Sequence, residues 1–262
     1  MGERLRLILR KAHWSLALKG LAFGLGWLWL PGWLFALLAL FLYFKPLFQP
    51  GKLLRSFFVL LGLSLGFSAL APALLPLFSG IGELLAAFLA ALFFLLMGIK
   101  DLAFVHRSGR YLLLYAGLFL GVFMLSFWYA APRDALRLLL VAALFLAAST
   151  LLFREFLGVM RDNLFLGVPG TEEAASVWDE WKRRRVLVWA LAFLVFQLFW
   201  AVNLLPIGFL MQAALLLLLV VLGSDALRAH MQGALTPFYV LRATTVLIFS
   251  ALGIFAASNW EL

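Results

Sequence analysis

Of the 262 residues, 66% are hydrophobic and only 13% charged, the formal charge is +9, and cysteine is absent. A water-soluble domain carries about a quarter charged residues, so this chain has too little polar surface to cover a globule in water. Without thiols there are no disulfides, thiolate metal sites or cysteine nucleophiles, and basic residues flanking membrane spans account for the positive charge without a nucleic-acid partner.

Nine apolar segments follow one another, near residues 14–30, 33–44, 56–78, 82–99, 111–131, 135–153, 186–205, 207–223 and 236–257. A bilayer core takes about 20 residues of helix and tolerates no unpaired backbone. The fold class read from this pattern is all-α: a polytopic transmembrane helix bundle of about nine spans, with 1–262 forming a single transmembrane domain. Arg4, Arg6, Arg10 and Lys11 precede the first segment as in a signal sequence. No small-residue cleavage site follows, so the segment is expected to remain as an uncleaved span. The second segment reaches only about 18 Å at about 1.5 Å per residue. Joined to the first through Pro31-Gly32, it forms either a pair of short spans or a re-entrant hairpin, which sets the expected count at eight or nine.

Three of the segments open alike. His13 precedes Gly20 and Gly24, Arg55 precedes Gly62 and Gly66, and Arg110 precedes Gly117 and Gly121, each first glycine lying seven residues after the basic or potentially basic one. These segments would share a direction through the bilayer, placing the glycine pairs at one depth. Small residues four apart let helix backbones approach closely, so helix packing is the role expected of all six. The seventh segment has Ala192 and Phe196 at the equivalent places and departs from the pattern.

The one sizeable connection is 154–185. Gly167 to Gly170 breaks it, and Thr171 can cap a helix that begins with Glu172 and Glu173 and ends with Lys182 to Arg185. Acids in the first turn and bases in the last suit the helix dipole. Ala174, Val177, Trp178 and Trp181 share one face, so an interfacial amphipathic helix in a cytoplasmic loop is expected.

Sidedness follows from the cations. Arg4 to Lys11, Lys45, Lys52, Arg55, Lys100, Arg107, Arg110, Arg154, Arg161, Lys182 to Arg185 and Arg228 fall on one side of the nine segments, against Arg133 and Arg137 on the other. The positive-inside rule then places the N-terminus in the cytoplasm. Trp14, Trp178, Trp181 and Trp189 are expected at the inner interface, and Trp27, Trp29, Trp33, Trp128, Trp200 and Trp260 at the outer one. The expected location is a plasma membrane, the inner membrane if the cell is bacterial.

Catalytic signals are weak. Gly62-Leu-Ser64-Leu-Gly66 fits G-x-S-x-G, but a nucleophile elbow needs a strand-to-helix turn, and the serine lies in a helical run. His13, His106 and His230 sit at span ends in distant segments and suggest no metal. No catalytic residue, metal or cofactor is therefore expected. Lys19 and Arg242 lie about two turns inside their segments, close enough to the ends to snorkel. Arg242 with Thr244 and Thr245, under a rim of Arg55, Arg110 and Arg154, is a candidate lipid-headgroup site, since basic pockets on the cytoplasmic side hold anionic lipids. Membrane lipids and other membrane subunits are the expected partners. The leading functional expectation is a non-catalytic component of a membrane assembly. The alternative is a lipid-handling protein, a carrier or an enzyme acting on a phospholipid or polyprenyl phosphate at the inner leaflet.

Overall fold

The computed structural model describes residues 2–45, 53–74, 80–101, 107–130, 135–165, 184–231 and 236–257. Among these residues there are nine helices and no strand: α1 (Gly2–Trp29), α2 (Gly32–Phe44), α3 (Leu54–Leu74), α4 (Ile81–Lys100), α5 (Arg107–Ala130), α6 (Ala135–Phe165), α7 (Arg184–Asn203), α8 (Phe209–Met231) and α9 (Pro237–Ala257). The last six contain stretches long and apolar enough to cross a membrane, which is the character of a multi-pass membrane protein. Gly32–Phe44 and Leu54–Leu70 are shorter apolar stretches.

Helices α1, α6 and α8 run well past the apolar segments predicted from the sequence. Hydropathy marks only the depth at which a helix is greasy. The helix itself continues into polar turns, because its bonds are internal to the segment in lipid and water alike. The stretch from Arg154 to Phe165 is therefore a continuation of α6. The amphipathic helix expected after Thr171 lies outside the described residues.

The chain divides into two compact units, Met1–Leu118 with Gly158–Leu164, and Phe119–Leu157 with Phe165–Leu262. In the first unit, α2 and α4 each pack on both α1 and α3, closing a ring of four helices. The α1–α4 contact is made by small residues. A Cβ built on Gly24 would stand 2.9 Å from the Ala90 Cβ and 3.1 Å from the Ala86 carbonyl oxygen, and one on Gly20 would stand 3.3 Å from the Ala90 carbonyl oxygen. Backbones this close gain dispersion contacts that larger side chains would prevent. Phe23 of α1 fills the ring's interior, stacked on Phe93 of α4 at 4.3 Å and meeting Phe35 of α2 edge-on at 5.0 Å. Gly80 starts α4 at φ 88°, a conformation that an L side chain rarely adopts.

The second unit is organised by aromatic rings. Phe145 of α6 stacks on Phe123 of α5 at 5.6 Å and on Phe199 of α7 at 4.5 Å. Phe127 adds a contact to Phe199 at 4.8 Å. The turn between α7 and α8 is tied by Gln212, whose amide nitrogen donates to the carbonyls of Val202 at 3.3 Å and Leu205 at 3.2 Å. Those carbonyls belong to the terminal turn of α7 and the loop after it, where intrahelical partners run out. Helix α9 packs on α8, and none of its residues is buried. Its start is set locally: the Thr236 hydroxyl accepts from the Tyr239 amide at 3.2 Å, and Pro237 supplies a preset φ at the first helical position.

Candidate functional site

The polar centre of the first unit forms where α2 stops. At 13 residues, α2 spans about 20 Å, short of a bilayer's hydrocarbon core of about 30 Å. Its last carbonyls have no helical partners, and the negative end of its dipole gathers there. Two lysines from other helices occupy this end. Lys19, midway along α1, donates to the Lys45 carbonyl at 2.9 Å. Lys100, the last residue of α4, donates to the Tyr43 carbonyl and stands 4.0 Å from the centroid of the Tyr43 ring. The ring in turn stacks on Phe57 of α3 at 4.1 Å.

Lys100 is wholly buried, an unusual position for an ammonium unless it is paired. A carbonyl dipole and a ring face are its two observed partners here. Asp101 follows as the C-cap of α4, where helix carbonyls already make the potential negative. Lys19 offsets that repulsion, with its Nζ 3.6 Å from the Asp101 Oδ2. The other carboxylate oxygen, Oδ1, is shielded from solvent and has no hydrogen-bond partner among the described residues. Lys45 is exposed, its Nζ 5.0 Å from the centroid of the Phe41 ring. The ammonium groups of Lys19 and Lys100 and the Asp101 carboxylate thus gather at a single helix end.

The residues marked in the sequence fall in both units. Arg55 on α3 and Arg110 on α5 are half-buried and belong to the first unit. Arg154 on α6 is exposed and belongs to the second, as do Arg242, Thr244 and Thr245, all exposed on α9. The Thr245 hydroxyl is turned back onto the Leu241 carbonyl of its own helix at 2.8 Å. Near Arg242, the Tyr239 hydroxyl donates to the Asp225 Oδ2 at 2.6 Å, joining α9 to α8.

The six glycines also have unlike surroundings. Gly20 and Gly24 face α4, and a Cβ on Gly117 would collide with the Leu92 side chain. Gly62 is exposed, with nothing within 4 Å of its built Cβ. Gly66 is half-buried and Gly121 buried. Ser64 lies within α3, its hydroxyl bonded to the Leu60 carbonyl at 2.8 Å, which is helix back-bonding rather than an elbow. Trp27, expected at an outer interface, is buried and donates its indole N–H to the Ser64 carbonyl at 2.7 Å. Its indole is committed to holding α1 against α3. Trp29 and Trp33 are exposed.

In the sequence Lys100 counts only toward sidedness, because a basic residue at a span end is ordinary topology signal, and Asp101 beside it stands in no motif. The signal that could have found them was the short second segment, whose terminal carbonyls need donors from elsewhere in the chain. Comparison with protein-family models, curated proteins and solved structures gives no match, so the functional reading rests on this chain's own residues.

Proposed function

We propose that the protein is a non-catalytic component of a membrane assembly, and that a partner's transmembrane helix covers α9. The observation that supports this reading is the contrast between position and chemistry on α9. The helix buries none of its residues, yet Arg242, Thr244 and Thr245 all occupy exposed positions along it. An arginine at the bilayer centre costs about 2.5–3.5 kcal/mol on insertion scales; Arg242, near the start of α9, lowers that by snorkelling, and a neighbouring helix offering carbonyls or hydroxyls lowers what is left. In this reading the chain crosses nine times, counting the short α1–α2 pair. Its N-terminus faces the cytoplasm and its C-terminus the exterior, as the distribution of cations supports.

The natural chain has no cysteine, which makes the test direct. Single cysteines at Ile248 or Phe249, carrying a photoreactive crosslinker in native membranes, should yield a discrete protein adduct. A cysteine at the exposed Leu144 of α6 serves as the control for chance encounters. Equal, diffuse adducts from all three positions, or lipid adducts alone, would remove the assembly reading.

A second reading, lipid handling, is favoured by a separate observation: the ammonium and carboxylate cluster at the end of α2, with an Asp101 oxygen that has no partner among the described residues. Arg242 then acts as a snorkelling side chain near the headgroups rather than as part of the lipid site.

A further inference from the structure

We propose that two copies of this chain pair through the α8–α9 face, with Arg242 of each set against Asp225 of the other. This rests on the assembly reading and names its partner: the helix that covers α9 is a second α9.

The face carries a carboxylate and a cation close together. Asp225, exposed near the end of α8, is held by the Tyr239 hydroxyl through its Oδ2. Arg242, also exposed, follows Tyr239 by three residues, one turn of α9 and about 4.5 Å along its axis. Their charges are opposite, yet no ion pair joins them within the chain, and Arg242 has no hydrogen-bond partner among the described residues. Both lie in stretches apolar enough to cross a membrane, where an unpaired charge is costly and a paired one less so.

A face that holds both signs is its own complement. In a two-fold pair every contact occurs twice with its members exchanged, so Arg242 meeting Asp225 across the axis satisfies all four charges. Copies inserted the same way present these residues at matching depths, as an axis along the membrane normal requires. A foreign helix would have to bring both a carboxylate and a cation at the same spacing. The rest of α9 allows close approach: Gly253 has nothing within 4 Å of a built Cβ, and Ala257, four residues on, is exposed as well. Ile248 and Phe249, exposed between Arg242 and Gly253, supply dispersion contacts.

The test follows energy transfer between donor- and acceptor-labelled copies of the full chain in phosphatidylcholine liposomes as the protein is diluted into lipid. The wild type is expected to pair with a defined midpoint. Arg242→Glu leaves two carboxylates on this face, and Asp225→Arg leaves two guanidinium groups. Each variant should associate with itself about a hundredfold more weakly than the wild type, about tenfold for each of the two ion pairs lost. Mixed together, the two variants restore both pairs and should associate like the wild type. Pairing of Arg242 with Asp225 inside one chain predicts no such recovery. A wild type that stays monomeric, or a mixture no stronger than either variant alone, overturns the proposal. The crosslinkers at Ile248 and Phe249 separate it from the reading on which it rests. An adduct of twice the chain's mass supports the proposal. An adduct of another mass overturns it and keeps the assembly reading, whereas lipid adducts alone remove both.

Discussion

Lys100 and Tyr43 are joined twice: the ammonium donates to the tyrosine carbonyl and lies 4.0 Å from the centroid of the same residue's ring. One side chain from the end of α4 thereby satisfies the backbone of α2 and neutralises part of its dipole. It does so from a fully buried position, in a ring of helices that otherwise packs through glycine, alanine and phenylalanine.

Lys100→Met should therefore destabilise the first unit despite adding an apolar side chain of similar length. The Tyr43 carbonyl would lose its ammonium donor, a loss of about 1–3 kcal/mol. The desolvation of a lysine that is no longer present works in the opposite direction and reduces the net effect. Thermal unfolding in detergent should shift downward for Lys100→Met and hardly at all for Lys45→Gln. Equal midpoints would mean that the bond to α2 contributes nothing.

Two glycines of the repeated pattern should respond oppositely. Gly24→Val places carbon where Ala90 and Ala86 already stand, and overpacking of this kind costs about 1–3 kcal/mol. Gly62→Ala meets open space and should gain up to about 1 kcal/mol from helix propensity. Comparing the two melting midpoints checks this directly.

In the second unit, the same comparison can be made with phenylalanines. Phe199→Ala removes a ring that is fully buried between Phe127 and Phe145 and should cost about 3–5 kcal/mol. Phe249→Ala on α9, where the ring is 71% exposed, should stay within about 0.5 kcal/mol in the isolated protein. A large loss at Phe249 in detergent would mean that α9 is packed within the chain itself.

The proposed topology is tested by impermeant thiol labelling of intact cells or right-side-out vesicles. Ser108→Cys should stay unlabelled from outside, and Arg133→Cys should react. Reversal of the pair would invert the membrane orientation.

Class and element order were legible in the linear chain because they depend on local quantities. Apolar runs of about 20 residues become helices wherever water is excluded, and Pro31-Gly32 ends one helix and begins another regardless of what lies nearby. Thr236-Pro237 marks the start of α9 for equally local reasons. The tertiary structure decided which small residues make contacts and which cations are held. Gly24 and Gly62 stand in the same motif, yet only Gly24 has another helix's backbone against it. Lys19 is two turns inside its segment, where snorkelling was expected, but the end of a different helix lies within reach and captures it. Asp101, 82 residues further along the chain, completes that capture through an ion pair that no spacing rule could anticipate. The physical reason is range. Hydropathy and helix formation are settled within a few turns, whereas hydrogen bonds and ion pairs depend on ångström-scale contacts that exist only after distant helices have packed.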